Sequence, residues 1–105
     1  MKVLIAGSTG LVGSHVLDLL LQDKRIEKVF LFGSRAKGNF RPGSDIDLAV
    51  SGNNLSLNDI LDLSIELDTL ELPYKFDIIL LKKVKEKALL EHINRLGIVL
   101  FEKDV

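Results

Sequence analysis

Cysteine is absent from the 105-residue sequence, which excludes disulfide bonds, zinc–thiolate sites and thiol catalysis. Histidine occurs only 2 times, so a metal cage of several histidines is excluded as well. The formal net charge of -1 provides no overall basic field for nucleic acid or an anionic membrane. No apolar run approaches the ~18 residues of a membrane span, and residues 7–10 interrupt the first run too early for a signal peptide. We therefore expect a soluble, cytoplasmic protein with no membrane and no nucleic-acid partner.

The composition is that of one globular domain, predicted to span residues 1–105. Hydrophobic residues make up 47% and charged residues 28% of the chain, a balance typical of folded proteins. Apolar runs and helical periodicity predict an α/β fold, a small mixed sheet of four to five strands with helices packed on it. Strands are predicted at 3–6, 28–32, 46–50, 75–81 and 98–101, and helices at 11–22, between 56 and 73, and at 85–96. Ser56 with Asp59 predicts a capping box, and Gly97 a left-handed helix C-cap.

A glycine-rich turn follows the first predicted strand and opens the first helix. Gly7, Gly10 and Gly13 lie there with the spacing of a dinucleotide-binding turn, which lets backbone and phosphate approach closely. Residues 2–21 resemble the first strand–turn–helix of atypical short-chain dehydrogenase/reductase-like NAD(P)-binding proteins. The resemblance implies a Rossmann-like βα unit over residues 1–27 and a second candidate nucleotide site.

Other features of the sequence weaken that NAD(P) interpretation. The acidic residue expected about 20 positions further on, for the ribose, is missing. Arg35 lies in that region instead and could serve a 2′-phosphate. The chain is also too short for a full dinucleotide domain. The three glycines are explained equally well by close packing of strand and helix, so NAD(P) is not the favoured cofactor.

A second group of residues combines a glycine–serine turn with three aspartates. Gly33 and Ser34 follow a predicted strand, where backbone N–H groups and a hydroxyl can cradle phosphate oxygens. Asp45 and Asp47 are two apart at the start of the next strand, so both carboxylates point to one face. Asp77 lies early in the fourth predicted strand. If these two strands are neighbours, three carboxylates converge, and carboxylates with phosphate suit Mg²⁺.

Such a group predicts two-metal phosphoryl chemistry. One metal ion would lower the pKa of an attacking hydroxyl, and the other would hold a triphosphate and stabilise the leaving pyrophosphate. Arg35, Lys37 and Arg41 would supply compensating positive charge near the phosphates. Each motif alone is common as a turn or a strand end, but their order and spacing together favour the functional interpretation.

These motifs carry a second resemblance, over about residues 28–103. That segment resembles the minimal nucleotidyltransferases (MNT) of the DNA polymerase β superfamily, the type paired with HEPN proteins. The similar motifs are residues 33–38, 45–47 and 77, with a similar tail from 89 to 102. The resemblance implies a nucleotidyltransferase-like core over residues 28–105 that transfers a nucleotide, commonly AMP from ATP, with two Mg²⁺ ions. It also implies a HEPN-type ribonuclease toxin as partner, since many family members act as antitoxins.

The resemblance assigns roles residue by residue. Asp45, Asp47 and Asp77 would be the catalytic metal ligands. The residues of the phosphate-binding turn would be Gly33, Ser34, Arg35 and Lys37.

The N-terminus departs from that family, which normally begins with a helix ahead of the Gly33–Ser34 strand. The sequence therefore resembles a chimera of a dehydrogenase-like unit and a nucleotidyltransferase core, joined near residues 26–29. Three interpretations stay open: an MNT-type enzyme, a recombined or engineered chimera without catalysis that binds a nucleotide at residues 7–13, and an interaction module that covers a partner. His15 and His92 are predicted to be structural residues of their helices, with His92 on the helix surface.

Overall fold

A computed structural model describes residues 2–5, 14–33, 45–71 and 75–104. The described residues form a sheet with α-helices on both faces, so the predicted α/β fold is confirmed. In chain order the elements are β1 (Lys2–Ile5), α1 (Ser14–Leu21), β2 (Ile26–Phe32), β3 (Ile46–Gly52), α2 (Leu57–Asp68), β4 (Phe76–Leu80), a 3-10 turn (Leu81–Lys83), α3 (Lys87–Leu96) and β5 (Ile98–Asp104). Within these ranges, no helix is long and apolar enough to cross a bilayer.

The sheet is mixed, with strand order β1-β5-β2-β3-β4. Only β3 and β4 run parallel, and α2 connects them as the helix of a β–α–β unit. The pairs β1–β5, β5–β2 and β2–β3 are antiparallel. Strands β3 and β4 are therefore neighbours, which is the condition on which the predicted convergence of aspartates depends.

Strand β1 does not lie where a Rossmann-like unit would place it. In that arrangement the first strand pairs beside the second, whereas here β5 lies between β1 and β2 and pairs with both. Its residues Leu100 and Phe101 are buried, with exposed fractions of 0% and 4%. The apolar β5 thus fills the edge of β2 and leaves β1 on the outer edge of the sheet. Strand β1 therefore does not pair directly with β2.

The period-two alternation of the strands sorts their side chains between two faces. Leu48 and Val50 of β3 face the larger core cluster, to which α1 contributes Val16 and Leu20. Helix α2 covers the same face with Ile60, Leu63 and Leu67. Ala49 of β3 lies in the second cluster, with Ile93 of α3. Position 47 has the same parity as 49, so Asp47 belongs to the face that α3 covers.

The structure confirms one predicted helix end and contradicts another. The capping box at Ser56 and Asp59 is confirmed, since each side chain accepts a hydrogen bond from the other residue's backbone N–H. The left-handed C-cap at Gly97 is wrong, because its φ of -64° and ψ of 139° are extended. Glycine is needed at 97 because a Cβ would overlap the carbonyl oxygen of Ile93, to which the Gly97 N–H donates at 2.9 Å.

Candidate functional site

Asp47 and Asp77 face each other across the parallel pair of strands. Asp47 of β3 is in register with Asp77 of β4, so both side chains leave the same face of the sheet, roughly 5 Å apart at the backbone. On its other side Asp47 is in register with Phe32 of β2. Asp45 lies one residue before β3, is exposed, and has the same parity as Asp47. The sheet therefore brings all three predicted aspartates to one end of β3 and β4.

The electrostatics of Asp47 reflect this placement. Its carboxyl is half-buried, and this burial is the main reason why its pKa is raised. Repulsion from Asp77 and then from Asp45 raises the pKa further, while His92 opposes the shift. No ion pair found among the described residues involves Asp47. Among the described residues, the neighbouring charges that raise this pKa are thus acidic, and a bound cation would relieve their repulsion.

Gly33, directly after β2, packs against the Asp47 carboxylate. Its φ of 77° lies in the left-handed region, which residues with a Cβ rarely adopt. A Cβ at this position would overlap Oδ2 of Asp47 and lie 3.1 Å from its Cγ. Both the backbone conformation and the contact with Asp47 thus require glycine at position 33.

His92 of α3 holds the same turn from the other side. The backbone N–H of Gly33 donates to Nε2 of His92 at 2.9 Å, and the imidazole lies edge-to-face with Phe32, with ring centroids 6.1 Å apart. The prediction of His92 on a helix surface is therefore wrong. The sequence contains a signal for this inward placement of His92, because the spacing of Leu89, His92 and Ile93 puts them on one face of a helix. His92 lies in an apolar stripe rather than on a solvated one.

Several predicted site residues lie outside the described residues. These are Ser34, Arg35, Lys37 and Arg41 of the phosphate-binding turn and its surroundings, and Gly7, Gly10 and Gly13 of the N-terminal turn.

The predicted metal site consists of the carboxylates of Asp45, Asp47 and Asp77. Within the part of the chain that the structure describes, no group of 3 or more His, Asp or Glu side chains is gathered closely enough to hold a metal ion. The chemistry of the donors nevertheless fits Mg²⁺, which prefers carboxylate oxygens together with phosphate and water. Asp47 with its two acidic neighbours supplies those oxygens and gains from a cation. Asp45, Asp47 and Asp77 are thus the residues that could hold magnesium.

Solved structures with the same fold include toxin–antitoxin complexes and a minimal nucleotidyltransferase. A toxin–antitoxin crystal structure with AMP-PNP has a TM-score of 0.68 at 24% identity, over 85% of this chain and 73% of that chain. The tri-AMPylated Shewanella oneidensis HEPN toxin in complex with MNT antitoxin has a TM-score of 0.62 at 22% identity, over 82% and 66%. A structure described as a minimal nucleotidyltransferase is 30% identical over 81% of this chain and 88% of its own, with a TM-score of 0.62. Among curated proteins, none matches the sequence significantly.

The family model for polymerase beta nucleotidyltransferases matches residues 15–105. The match begins earlier than the predicted boundary at residue 28 and includes nearly all of α1 (Ser14–Leu21). Helix α1 therefore falls almost wholly within the family match, and residues 1–14 precede it. Because the family model matches nearly the whole chain, the chain belongs to the polymerase beta nucleotidyltransferase family, among the minimal nucleotidyltransferases.

Proposed function

We propose that this chain is a Mg²⁺-dependent nucleotidyltransferase of the MNT antitoxin type, which transfers AMP from ATP to a protein acceptor. The observation that carries the proposal is the packing of three features around one carboxylate. Asp47 is in register with Asp77, burial and the neighbouring acids raise the pKa of its carboxyl, and Gly33 packs directly on it. Carboxylates suit Mg²⁺ and a backbone turn beside them suits phosphate, which supports the proposal.

Each residue has a distinct task in this proposal. Two Mg²⁺ ions, when bound, would activate the attacking hydroxyl and stabilise the pyrophosphate that leaves. Asp45, Asp47 and Asp77 would hold these ions, and Gly33 packs against the half-buried carboxylate of Asp47. Ser34, Arg35 and Lys37 would bind the phosphates, a role that rests on the sequence motif alone.

A protein partner is supported by an apolar stripe on the outer face of α2. Leu57, Leu61 and Ile65 recur every fourth residue and are 61%, 58% and 55% exposed. Contiguous apolar surface of this kind is typical of protein interaction sites. The solved toxin–antitoxin complexes of similar fold make a HEPN-type toxin the partner we propose. Transfer is expected to be weak or absent until that acceptor is supplied.

Nucleotide binding can be tested by calorimetry with ATP, with and without Mg²⁺. We expect binding by the wild type that depends on Mg²⁺ and is lost in Asp47→Asn and Asp77→Asn. Asp62→Asn is the matched control, because Asp62 is an exposed aspartate of α2 on the opposite face of the sheet. Equal binding by Asp47→Asn and the wild type, or no binding by the wild type, would refute the proposal.

The type of transfer can be tested with ATP labelled at either the α- or the γ-phosphate, using a HEPN-type protein as acceptor. Nucleotidyl transfer moves the α label to the acceptor and releases the γ label in pyrophosphate. Transfer of the γ label instead would identify a protein kinase and overturn the proposal. Brisk transfer to a small generic acceptor would show that the acceptor is not a protein.

The alternative is that the chain is a chimeric protein without catalysis, which binds a nucleotide at residues 7–13. Residues 1–14 lie outside the family match, and they include the glycines at 7, 10 and 13. The alternative predicts that NADP or NAD at millimolar concentration raises the melting temperature, whereas Mg²⁺·ATP does not. The opposite pair of results favours the nucleotidyltransferase.

A further inference from the structure

A hydrogen bond between distant parts of the chain ends at the turn after β2. The donor is the backbone N–H of Gly33, the acceptor is Nε2 of His92, and the two residues are 59 positions apart. The bond is partly buried, so water competes for it less than on an open surface. Helix α3 is thereby attached directly to the turn that packs on Asp47.

The imidazole is held on two sides, which gives this bond a defined direction. Its ring meets the edge of Phe32 at an interplanar angle of 73°. The next residue of α3, Ile93, is fully buried in the cluster that also contains Phe32. An imidazole nitrogen accepts a hydrogen bond only through its lone pair, so this bond forms with the neutral ring whose proton is on Nδ1. Helix α3 therefore presents a fixed acceptor to the turn.

The same bond changes the role of Gly33 in the site. The sequence motif suggested that its N–H would help to cradle a phosphate. That N–H is already donated to His92, so it does not point at a ligand as well. The contribution of Gly33 is its left-handed conformation, which brings the chain against Asp47 where a Cβ would overlap the carboxylate.

We propose that His92 is a positioning residue of the nucleotide site. By accepting the Gly33 N–H, it holds Gly33 in the left-handed conformation that packs against the Asp47 carboxylate. This role rests on the proposed function, in which Asp47 is a metal ligand of the nucleotide site. His92 itself touches neither the nucleotide nor the metal.

Three substitutions separate hydrogen bonding from packing. His92→Gln keeps an acceptor at about the position of Nε2. The shorter side chain of His92→Asn has an acceptor that does not reach the Gly33 N–H. His92→Leu keeps the apolar contact with Phe32 but has no acceptor. Glu91→Gln changes an exposed neighbour on the same helix and is the matched control. Circular dichroism shows which variants fold. If His92→Leu does not fold, the comparison of His92→Gln with His92→Asn still tests the hydrogen bond.

Calorimetry with ATP and Mg²⁺ is expected to rank the variants by their acceptor. Leaving the Gly33 N–H without a partner should weaken binding about tenfold in His92→Leu and His92→Asn. His92→Gln should stay within about threefold of the wild type, and Glu91→Gln should equal it. Wild-type affinity in His92→Leu would overturn the proposal, as would a loss in His92→Gln as large as that in His92→Leu.

The bond can also be measured without nucleotide. In ¹⁵N-labelled protein, we expect a scalar coupling across the hydrogen bond between the Gly33 amide nitrogen and Nε2 of His92. Slow exchange of the Gly33 amide should be kept in His92→Gln and lost in His92→Leu. Absence of the coupling would refute the contact, whereas failure of the wild type to bind ATP while the coupling is present would refute the proposed function instead.

Discussion

The contact between Gly33 and Asp47 can be tested by replacing Gly33 with alanine. The left-handed φ of 77° imposes a cost of about 1–2 kcal/mol on any residue with a Cβ. The overlap of the new Cβ with Oδ2 of Asp47 forces the carboxylate to shift, which costs about 1–3 kcal/mol more by analogy with overpacked cores. Gly33→Ala should therefore lower the free energy of unfolding by about 2–5 kcal/mol.

A double-mutant cycle with Asp47→Ala separates these two contributions. Without the carboxylate, the nearest Asp47 atom to the new Cβ is the Asp47 Cβ at 3.4 Å, which is an ordinary contact. Gly33→Ala in the Asp47→Ala background should thus cost only the conformational part, about 1–2 kcal/mol. The coupling energy between the two sites is then about 1–3 kcal/mol.

Urea denaturation followed by circular dichroism, in buffer with EDTA, measures the four proteins of the cycle. An equal loss of stability in both backgrounds would refute the close packing of Gly33 on Asp47. No loss in either background would also refute the left-handed conformation.

Further predictions concern charge and capping. Because burial and nearby acids raise the pKa of Asp47, its ionised form destabilises the metal-free fold at neutral pH. Asp47→Asn should raise the melting temperature at pH 7, and the gain should disappear as pH falls below the usual aspartate range; a loss at pH 7 would contradict this. The Arg25 guanidinium lowers the pKa of Asp23, so that pair stabilises the fold above the usual aspartate range and less as pH falls. Arg25→Gln should lower the melting temperature more at pH 7 than at about pH 2, and equal losses would refute the pair. Ser56→Ala removes the capping acceptor for Asp59 and should cost about 1 kcal/mol in urea denaturation, whereas no loss would show that the cap adds nothing.

Features that depend on neighbours in the chain could be read from the sequence. The strand and helix order follows from apolar periodicity, and the capping box follows from two residues three positions apart. The two-residue period of a strand likewise predicts a shared face for Asp45 and Asp47. These properties involve local geometry, which the sequence specifies without reference to the rest of the fold.

Features that depend on distant pairing were decided by the tertiary structure. Position 77 became the partner of Asp47 only because β4 pairs in parallel with β3 at that register. The bond from Gly33 to His92 joins residues far apart in the chain, and the pairing of β1 with β5 depends on which strand fills the edge of β2. Such pairings are settled by competition among all the surfaces that a chain can bury. The sequence by itself determined the elements and the three aspartates, whereas only the fold decided which residues meet Asp47, because long-range contacts have no local signature.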